Sequence, residues 1–294
     1  MDIRRVGVLG GGLMGSGIAQ VSAMAGFPTI VREVTNELCD KTMTSIRKSL
    51  AKGVERGKIT SEVLDRTLLN VSCVSDVRGL CESDIVIEAV SEDLEIKNSL
   101  WKELNVVCRP EAIFASNTSS LTIAAMAASS GRPDRMLGLH FFNPVPVMKL
   151  VEVVRTITTS DETADTAFAF VEKLGKEPIR AKDSSGFVVN LLLVPYMLDA
   201  IRALEANVAT VEDIDKGMQL GAGHPMGPFT LLDFVGLDTV QKISEIMFAE
   251  YRERRYAPPP LLNRMVMAGM FGRKSGRGFY DYSEDPPRPS PLGL

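Results

Sequence analysis

Two residues with acid–base side chains lie in the middle of the chain, His140 and Glu152. The chain has only two histidines, and His140 follows the apolar segment 137–139, so it is predicted to lie toward the carboxyl end of a strand. Ligands of open α/β sheets bind outside those ends, and an imidazole is a suitable proton acceptor near neutral pH. From these residues alone, a catalytic base and a hydrogen-bonded core histidine are equally supported. His224 lies in a turn rich in glycine and proline, which favours a surface or structural role.

Glu152 interrupts an otherwise apolar segment, residues 150–154, in which alternate residues share a face as in a strand. If this strand is buried on both faces, the carboxylate needs a partner, and His140 would supply one. Such a pair would fix the tautomer of the imidazole and stabilise its protonated form. On an edge strand Glu152 would instead face solvent, and the sequence leaves that alternative open.

Other polar residues lie where a substrate could bind. Ser119 and Ser120 follow a predicted strand and precede a helix predicted for residues 121–128, so one of them is expected to be the N-cap. A serine at that turn could also donate to a substrate oxygen. Asn190 lies in the apolar first turns of a later helix and is predicted either to be buried or to face a cleft between domains.

A basic face is predicted on a long helix over residues 36–56. Lys48, Lys52 and Arg56 recur at intervals of four residues beside an apolar stripe. Such a face is usually solvated surface. Its functional alternative is a binding surface for the phosphates of coenzyme A, which a chain with a formal net charge of −4 would otherwise repel. The same net charge argues against a general nucleic-acid binder.

A glycine-rich motif near the start of the chain predicts a dinucleotide site. Six consecutive residues between a predicted strand and a predicted helix fit the pattern G-x-G-x-x-G: Gly10, Gly11, Gly12, Leu13, Met14 and Gly15. The three glycines of this pattern permit a tight turn, close approach of the pyrophosphate and close packing of the helix, whose N-terminus favours phosphate. Glu33 lies roughly 20 residues further on, where the ribose-binding carboxylate belongs, which favours NAD over NADP. The neighbouring Arg32 weakens that preference.

Short apolar strands alternate with helical patterns in the first part of the chain, which indicates a Rossmann-type, doubly wound α/β sheet. The predicted strands are residues 6–9, 27–31, 84–88, 112–115, 136–142 and 148–154. Further helices are predicted for residues 188–206, 211–220, 231–254 and 261–269. We therefore expect a Rossmann-type domain over residues 1–183, an all-helical domain over 184–285 and a disordered, proline-rich tail over 286–294.

The cysteines and the chain start indicate the compartment. Four cysteines lack zinc-ligand or redox-motif spacing and are expected to be reduced, mostly buried thiols: Cys39, Cys73, Cys81 and Cys108. The first residues lead directly into a strand, without room for a signal peptide. The longest apolar run, residues 187–198, is interrupted and too short to span a bilayer. The sequence therefore predicts a cytoplasmic protein without a membrane segment.

Five longer strings are specific enough to compare with known families. They are GSGIAQ at 15–20, ASNTSSL at 115–121, HFFNPVPVMKLVE at 140–152, GFVVN at 186–190 and KSGRGFY at 274–280. Together they resemble the 3-hydroxyacyl-CoA dehydrogenase family, and within it the short-chain bacterial 3-hydroxybutyryl-CoA dehydrogenases, over nearly the whole chain from Val6 to Tyr282.

The resemblance implies an NAD-dependent enzyme of fatty acid metabolism that reversibly oxidises a short-chain (3S)-3-hydroxyacyl-CoA to the 3-ketoacyl-CoA. It implies His140 as the general base, Glu152 as its orienting partner, and Ser119 and Asn190 as the residues that hold the reacting oxygen and order the cleft. It assigns cofactor contacts to Glu92, Lys97, Asn143 and Lys274, and coenzyme A contacts to Ser49 and Arg56. It also implies a homodimer formed through the helical domain, with catalysis between the domains.

Some features depart from the family pattern. Glu33 stands where relatives often carry Asp, Arg56 stands where they can carry Lys, and the tail beyond Tyr282 lies outside the family core. Two alternatives stay open: the same chemistry on an acyl group held by acyl carrier protein, and a non-catalytic NAD-binding homologue. The joint presence of the four catalytic candidates argues against the second, and no motif indicates a metal site.

Overall fold

A computed structural model describes residues 2–292, which divide into two compact units after Phe187. The first unit contains a sheet of short strands packed with helices. Its strands are β1 (Val6–Leu9), β2 (Thr29–Arg32), β3 (Val71–Val74), β4 (Ile85–Glu88), β5 (Ile113–Ser116), β6 (Met136–Phe141), β7 (Leu150–Arg155) and β8 (Glu177–Lys182). Its helices are α1 (Leu13–Met24), α2 (Asn36–Glu55), α3 (Ser61–Leu69), α4 (Leu94–Val107), α5 (Ile123–Ser129) and α6 (Asp161–Lys173).

The strand order explains where a ligand can bind. Across the sheet the described strands run β3-β2-β1-β4-β5-β6-β7-β8, and neighbours are parallel save for the antiparallel pair β6 and β7. The chain first builds outward from β1 to β3 and then returns to β4 on the other side of β1. The carboxyl ends of β1 and β4 therefore meet at the point where the strand order reverses, the usual ligand position in such sheets. The predicted Rossmann-type, doubly wound sheet is confirmed.

Burial explains why the central strands are continuously apolar. β1, β4 and β5 are buried at every residue. A strand covered on both faces has no solvated side, so a polar residue in it needs a specific partner. β3 and β8, which the sequence analysis missed, are partly exposed and carry polar residues, with Pro178 inside β8. Their sequences therefore lack the apolar run that identified the others.

The expectation that the cysteines are reduced is wrong for one pair. Cys39, in the first turns of α2, and Cys73, on β3, form a disulfide with their Cα atoms 5.3 Å apart. The two residues are 34 positions apart in sequence, and the packing of α2 beside β3 brings them together. Spacing rules for local motifs do not detect such a pair. Cys81 and Cys108 are free thiols, and burial raises the pKa of the Cys108 thiol to about 11.

The second unit is helical, as predicted. Its helices are α7 (Val189–Glu205), α8 (Val211–Ala222), α9 (Pro228–Val235), α10 (Leu237–Tyr251) and α11 (Pro260–Met267), which enclose a separate apolar core. The single helix predicted for residues 231–254 is wrong, because Gly236 with a φ of +99° ends α9 and begins α10. None of the helices described in either unit combines the length and apolar character needed to cross a membrane.

The proline-rich tail makes backbone contacts in the part that the structure describes. Strand β9 (Tyr280–Asp281) pairs antiparallel with β10 (Arg288–Pro289), and the backbone N–H of Ser290 donates to the carbonyl of Phe279 at 2.8 Å. Residues 288–290 thus have backbone partners, and Leu292 packs against the core of the second unit. The predicted disorder of the tail stays a prediction about its motion in solution. Residues 293–294 lie outside the described part of the chain.

Candidate active site

The glycine turn after β1 has the backbone geometry of a phosphate-binding loop. Gly10 has a φ of +90°, and a Cβ atom there would lie 2.9 Å from the carbonyl oxygen of Ala89. A Cβ atom on Gly15 would overlap the carbonyl oxygen of Gly10, so a larger residue would separate α1 from the turn. Gly12 is the N-cap of α1, makes no side-chain cap, and has open space where a Cβ would be. The first N–H groups of α1 are thus left for an anionic ligand.

Glu33 holds this turn from the end of β2. Its Oε1 accepts a hydrogen bond from the Gly11 N–H at 2.5 Å, and Thr42 on α2 donates to the Gly11 carbonyl at 3.1 Å. The peptide of Gly11 is therefore fixed on both sides. Leu13, the first residue of α1, is 73% exposed. An adenosine ribose would meet a carboxylate that is already positioned by the phosphate loop.

His140 and Glu152 form the buried pair predicted from the strand pattern. In the antiparallel ladder of β6 and β7 the two residues are direct partners, and Nδ1 of His140 lies 2.6 Å from Oε2 of Glu152. The side chain of His140 is 7% exposed and that of Glu152 is fully buried. The alternative of a solvated edge strand is wrong, because β8 covers the other side of β7. Rings of Phe142 and Phe187 lie 4.5 and 5.5 Å from the imidazole.

The loop between β6 and β7 carries Asn143, which is exposed. A buried lysine holds this loop: Nζ of Lys176 donates to the carbonyls of Val145 at 2.6 Å and Met148 at 2.8 Å. Burial lowers the pKa of Lys176. Because the ammonium binds two loop carbonyls, it fixes the path of the segment that follows His140. Lys176 is not predictable from the sequence, since nothing near it in sequence marks it.

The predicted serine cap of the next helix is wrong. The N-cap of α5 is Thr122, which makes no side-chain cap, and the carboxylate of Asp183 accepts from the N–H groups of Ile123 at 2.9 Å and Ala124 at 2.7 Å. The cap therefore comes from a residue about sixty positions away, which no local pattern could indicate. Ser119 is half-buried, and it is not needed for capping.

The turn that carries Ser119 is held by carboxylates. Glu92 accepts from the Ser119 N–H at 3.0 Å and from the Thr118 hydroxyl at 2.9 Å, and Lys97 on α4 lies 3.2 Å from Glu92. Lys97 also binds Glu88, at the end of β4, at 2.6 Å. The structure thus brings together three predicted site residues, Ser119, Glu92 and Lys97. Glu88 is not among the predicted site residues, although a charged residue at the end of an apolar strand is a usable signal.

The predicted basic face lies on α2 and at its C-cap. Lys48, Lys52 and Arg56 are exposed and Ser49 is half-buried, while Ile46 and Leu50 on the same helix are buried. The helix therefore presents its cations to solvent and its apolar stripe to the sheet.

The remaining predicted residues belong to the second unit. Asn190 lies in the first turn of α7 and is half-buried, and Lys274 lies in a short turn, where its Nζ binds Asp238 at 2.6 Å. Buried Asp233 accepts from the N–H groups of Phe279 and Tyr280 and so holds the segment that follows Lys274. Burial raises the pKa of this carboxyl.

His224 in the second unit contacts the Tyr196 hydroxyl at 3.2 Å through Nδ1. This contact is consistent with the structural role predicted for it.

Comparison with known proteins agrees with this geometry. The sequence profile of the 3-hydroxyacyl-CoA dehydrogenase NAD-binding domain matches residues 5–184, and that of the C-terminal domain matches residues 186–282. A Mycobacterium tuberculosis protein named 3-hydroxybutyryl-CoA dehydrogenase is 52% identical over 282 residues, or 95% of this chain and 99% of its own. The human mitochondrial hydroxyacyl-coenzyme A dehydrogenase is 45% identical over 287 residues, or 95% of this chain and 91% of its own.

Solved structures extend the likeness to the fold. The crystal structure of (S)-3-hydroxybutyryl-CoA dehydrogenase from Ralstonia eutropha has a TM-score of 0.93 at 40% identity and covers 96% of this chain and 100% of that chain. The phosphate loop at the end of β1 and these matches define an NAD-binding oxidoreductase that acts on a CH–OH group. The chain belongs to the 3-hydroxyacyl-CoA dehydrogenase family and carries both of its domains.

Proposed function

We propose that this enzyme oxidises the 3-hydroxyl group of a short-chain (3S)-3-hydroxyacyl-CoA, 3-hydroxybutyryl-CoA above all, and catalyses the reverse reduction. The observation that carries the proposal is the buried His140–Glu152 pair on β6 and β7, two strands of the sheet that bears the phosphate loop. The names of the relatives support the substrate, because proteins 52% and 40% identical to this chain are named for 3-hydroxybutyryl-CoA.

The residues present fit NAD. The uncapped N-terminus of α1 and the open space beside Gly12 suit a pyrophosphate, and the acidic Glu33 suits an unphosphorylated ribose. When bound, NAD⁺ supplies the acceptor for the hydride that leaves C3 of the substrate. Glu33 would repel the 2′-phosphate of NADP.

His140 moves the proton in this proposal. Its Nδ1 is engaged by Glu152, so Nε2 takes the proton of the 3-hydroxyl as the hydride leaves. The carboxylate of Glu152 keeps the imidazole in that tautomer and stabilises the imidazolium formed in the step. In the reverse direction the imidazolium returns the proton to the ketone oxygen. Ser119 donates to the same oxygen, and Asn190 is proposed to help order the substrate.

The exposed cations Lys48, Lys52 and Arg56, with Ser49, bind the phosphates of coenzyme A in this proposal.

In the same proposal, the enzyme acts as a homodimer through its helical unit, which carries exposed apolar side chains such as Leu220 and Met267. Analytical ultracentrifugation tests the assembly: a single species with the mass of one chain would contradict the dimer.

The experiment that tests the function follows absorbance of NADH after addition of acetoacetyl-CoA to the purified enzyme. Wild-type enzyme should oxidise NADH, and His140→Gln should lower kcat by about 100- to 10,000-fold, the usual contribution of a general acid–base group, without weakening NADH binding. An enzyme that binds NADH tightly but never oxidises it would contradict the proposal. A His140→Gln variant with near wild-type rate would remove His140 from the mechanism.

A further inference from the structure

Glu88 is a fully buried carboxylate at the carboxyl end of β4, and both of its oxygens are engaged. Oε1 accepts from Nζ of Lys97 at 2.6 Å and from the Val90 N–H at 2.7 Å. Oε2 accepts from the Ser116 hydroxyl at 2.6 Å. A buried carboxylate is tolerated only with such partners. Glu88 therefore depends on two neighbouring elements, α4 through Lys97 and β5 through Ser116.

Both of these partners lead to the turn that carries Ser119. Lys97, only 1% exposed, has Glu92 as its second carboxylate, at 3.2 Å. Glu92 accepts from the Ser119 N–H at 3.0 Å and from the Thr118 hydroxyl at 2.9 Å. Along the second path, the Ser116 hydroxyl accepts from the Thr118 N–H at 3.3 Å. Two hydrogen-bonded routes thus begin at Glu88 and end at Thr118 and Ser119.

The same turn is tied to the strand of the catalytic histidine. The side-chain oxygen of Asn117 accepts from the N–H of Phe141, the residue after His140, at 2.9 Å. The Thr118 hydroxyl also accepts from the Leu121 N–H at 3.0 Å. The turn at 117–121 is therefore fixed to β4, to β6 and to its own following segment, and both routes to it begin at the fully buried Glu88.

We propose that Glu88 is a positioning residue, which acts through Lys97, Glu92 and Ser116 to place Ser119 for its contact with the reacting oxygen. The inference deepens the function proposed above and rests on it for the role of Ser119. Lys97, which the family resemblance assigns to cofactor contact, acts in this proposal through Glu92, since its ammonium is enclosed between two carboxylates.

Charge explains why an amide should not replace this carboxylate. Lys97 forms ion pairs with both Glu88 and Glu92. Glu92 also accepts a hydrogen bond from the Ser119 N–H in the 117–121 turn. If Glu88 becomes Gln, Glu92 is the remaining anion for a buried ammonium. Lys97 then moves toward Glu92 and competes with Thr118 and Ser119 for its oxygens. The Ser119 turn loosens although each group in it is unchanged.

The test compares Glu88→Gln and the milder Ser116→Ala with wild-type enzyme. Hydrogen–deuterium exchange of the peptide spanning residues 117–121 should quicken by about fivefold in Glu88→Gln, the equivalent of one net hydrogen bond, and less in Ser116→Ala. The kcat for acetoacetyl-CoA should fall by about 100-fold in Glu88→Gln, as expected for a reacting group displaced by about 1 Å. The KM for acetoacetyl-CoA should change far less.

Arg132→Met is the matched control for loss of stability. Arg132 is buried in the same unit and donates to the carbonyls of Asn105 and Cys108 at the far end of α4, so its loss destabilises the fold without touching the 117–121 turn. Its kcat should stay within about twofold of wild type at a temperature where it is folded.

Two outcomes would overturn the proposal. One is unchanged exchange of residues 117–121 in Glu88→Gln. The other is a change of exchange and of kcat in Arg132→Met as large as that in Glu88→Gln. If wild-type enzyme shows no activity with acetoacetyl-CoA, the proposed function fails, while the exchange comparison still decides whether Glu88 positions the turn. If Glu88→Gln does not fold, Ser116→Ala carries the same comparison, and unchanged exchange there would overturn the inference.

Discussion

At the scale of single residues, Glu33 has two tasks that the sequence motif does not separate. The motif assigns its carboxylate to the ribose, and the structure gives Oε1 a hydrogen bond from the Gly11 N–H within the phosphate loop. Selection of a ribose without a 2′-phosphate needs a negative charge, which repels the phosphate. The contact with the Gly11 N–H needs only a hydrogen-bond acceptor. A substitution that keeps the acceptor and removes the charge can therefore distinguish the two.

Glu33→Gln is that substitution, and we expect it to change cofactor choice more than cofactor binding. Loss of repulsion between like charges should raise the ratio of kcat/KM for NADPH to that for NADH by about tenfold, or 1.4 kcal/mol, a modest interaction for charges near a surface. Steady-state rates with both reduced cofactors measure the ratio. Glu37→Gln, on the exposed first turn of α2, is the matched control and should leave the ratio unchanged. An unchanged ratio in Glu33→Gln would show that the charge does not select the cofactor.

The sequence predicted candidate site residues where a local rule applied to them. His140 is predicted because it follows an apolar segment with strand character, Glu152 because it interrupts an otherwise apolar strand, and Glu33 because a motif fixes its distance from the glycines. Lys176 was missed, since its partners are backbone carbonyls of a loop distant in sequence. Groups that act through the backbone of another segment leave no pattern of residue types.

At the scale of elements, α5 shows how a correct helix can be assigned the wrong cap. Serines precede the helix, so a local cap was expected, but the carboxylate of Asp183 accepts from Ile123 and Ala124 instead. A carboxylate at a helix N-terminus is also favoured by the helix dipole. Because Asp183 takes this position, Ser119 has no capping role in α5, and the substrate contact proposed for Ser119 does not compete with capping.

We therefore expect Asp183→Ala to lower the stability of the fold and Ser119→Ala to lower the rate of the reaction. Loss of the cap should lower the free energy of unfolding by about 1–2 kcal/mol in Asp183→Ala, a fall in Tm of about 2–8 °C for a unit of this size. Ser119→Ala should leave Tm within about 1 °C of wild type, as for a substitution outside structural features, and lower kcat for acetoacetyl-CoA. Thermal denaturation followed by circular dichroism, together with the NADH assay, measures both. Equal destabilisation by the two variants would restore the serine-cap interpretation.

Element boundaries were predictable where the chain marks them strongly. The run Val6–Leu9 ends at glycine, and the predicted strand matches β1. The division of residues 231–254 into two helices was missed, because a glycine in a helical pattern is usually tolerated and its φ of +99° depends on the tertiary structure. Similarly, β8 combines a proline with charged residues and is stabilised as a strand by its pairing with β7.

At the scale of the whole molecule, the chain builds separate apolar cores. The phosphate loop, Glu33 and the His140–Glu152 pair all belong to the unit that ends at Phe187, whereas Asn190 and Lys274 belong to the unit that begins at Val188. A change from alternating strands and helices to helices alone made this organisation predictable. The position of the boundary near residue 184 stays a prediction about which segment folds independently.

A chain limited to residues 1–187 tests that prediction and separates binding from turnover. Its core is complete within the segment and includes buried residues of β1, β4, β5 and β6, so we expect cooperative unfolding. The groups proposed to hold the pyrophosphate and ribose are all present, so its Kd for NADH should stay within about tenfold, or 1.4 kcal/mol, of the full-length value. Saturation with NADH at about 100 times Kd should then stabilise it by about 2.7 kcal/mol. Turnover of acetoacetyl-CoA should be absent, because Asn190 and Lys274 are missing. Fluorescence titration and thermal denaturation with and without NADH measure these effects.

A folded fragment that does not bind NADH would show that the dinucleotide needs groups from the helical unit. A fragment that turns over acetoacetyl-CoA would remove Asn190 from the mechanism.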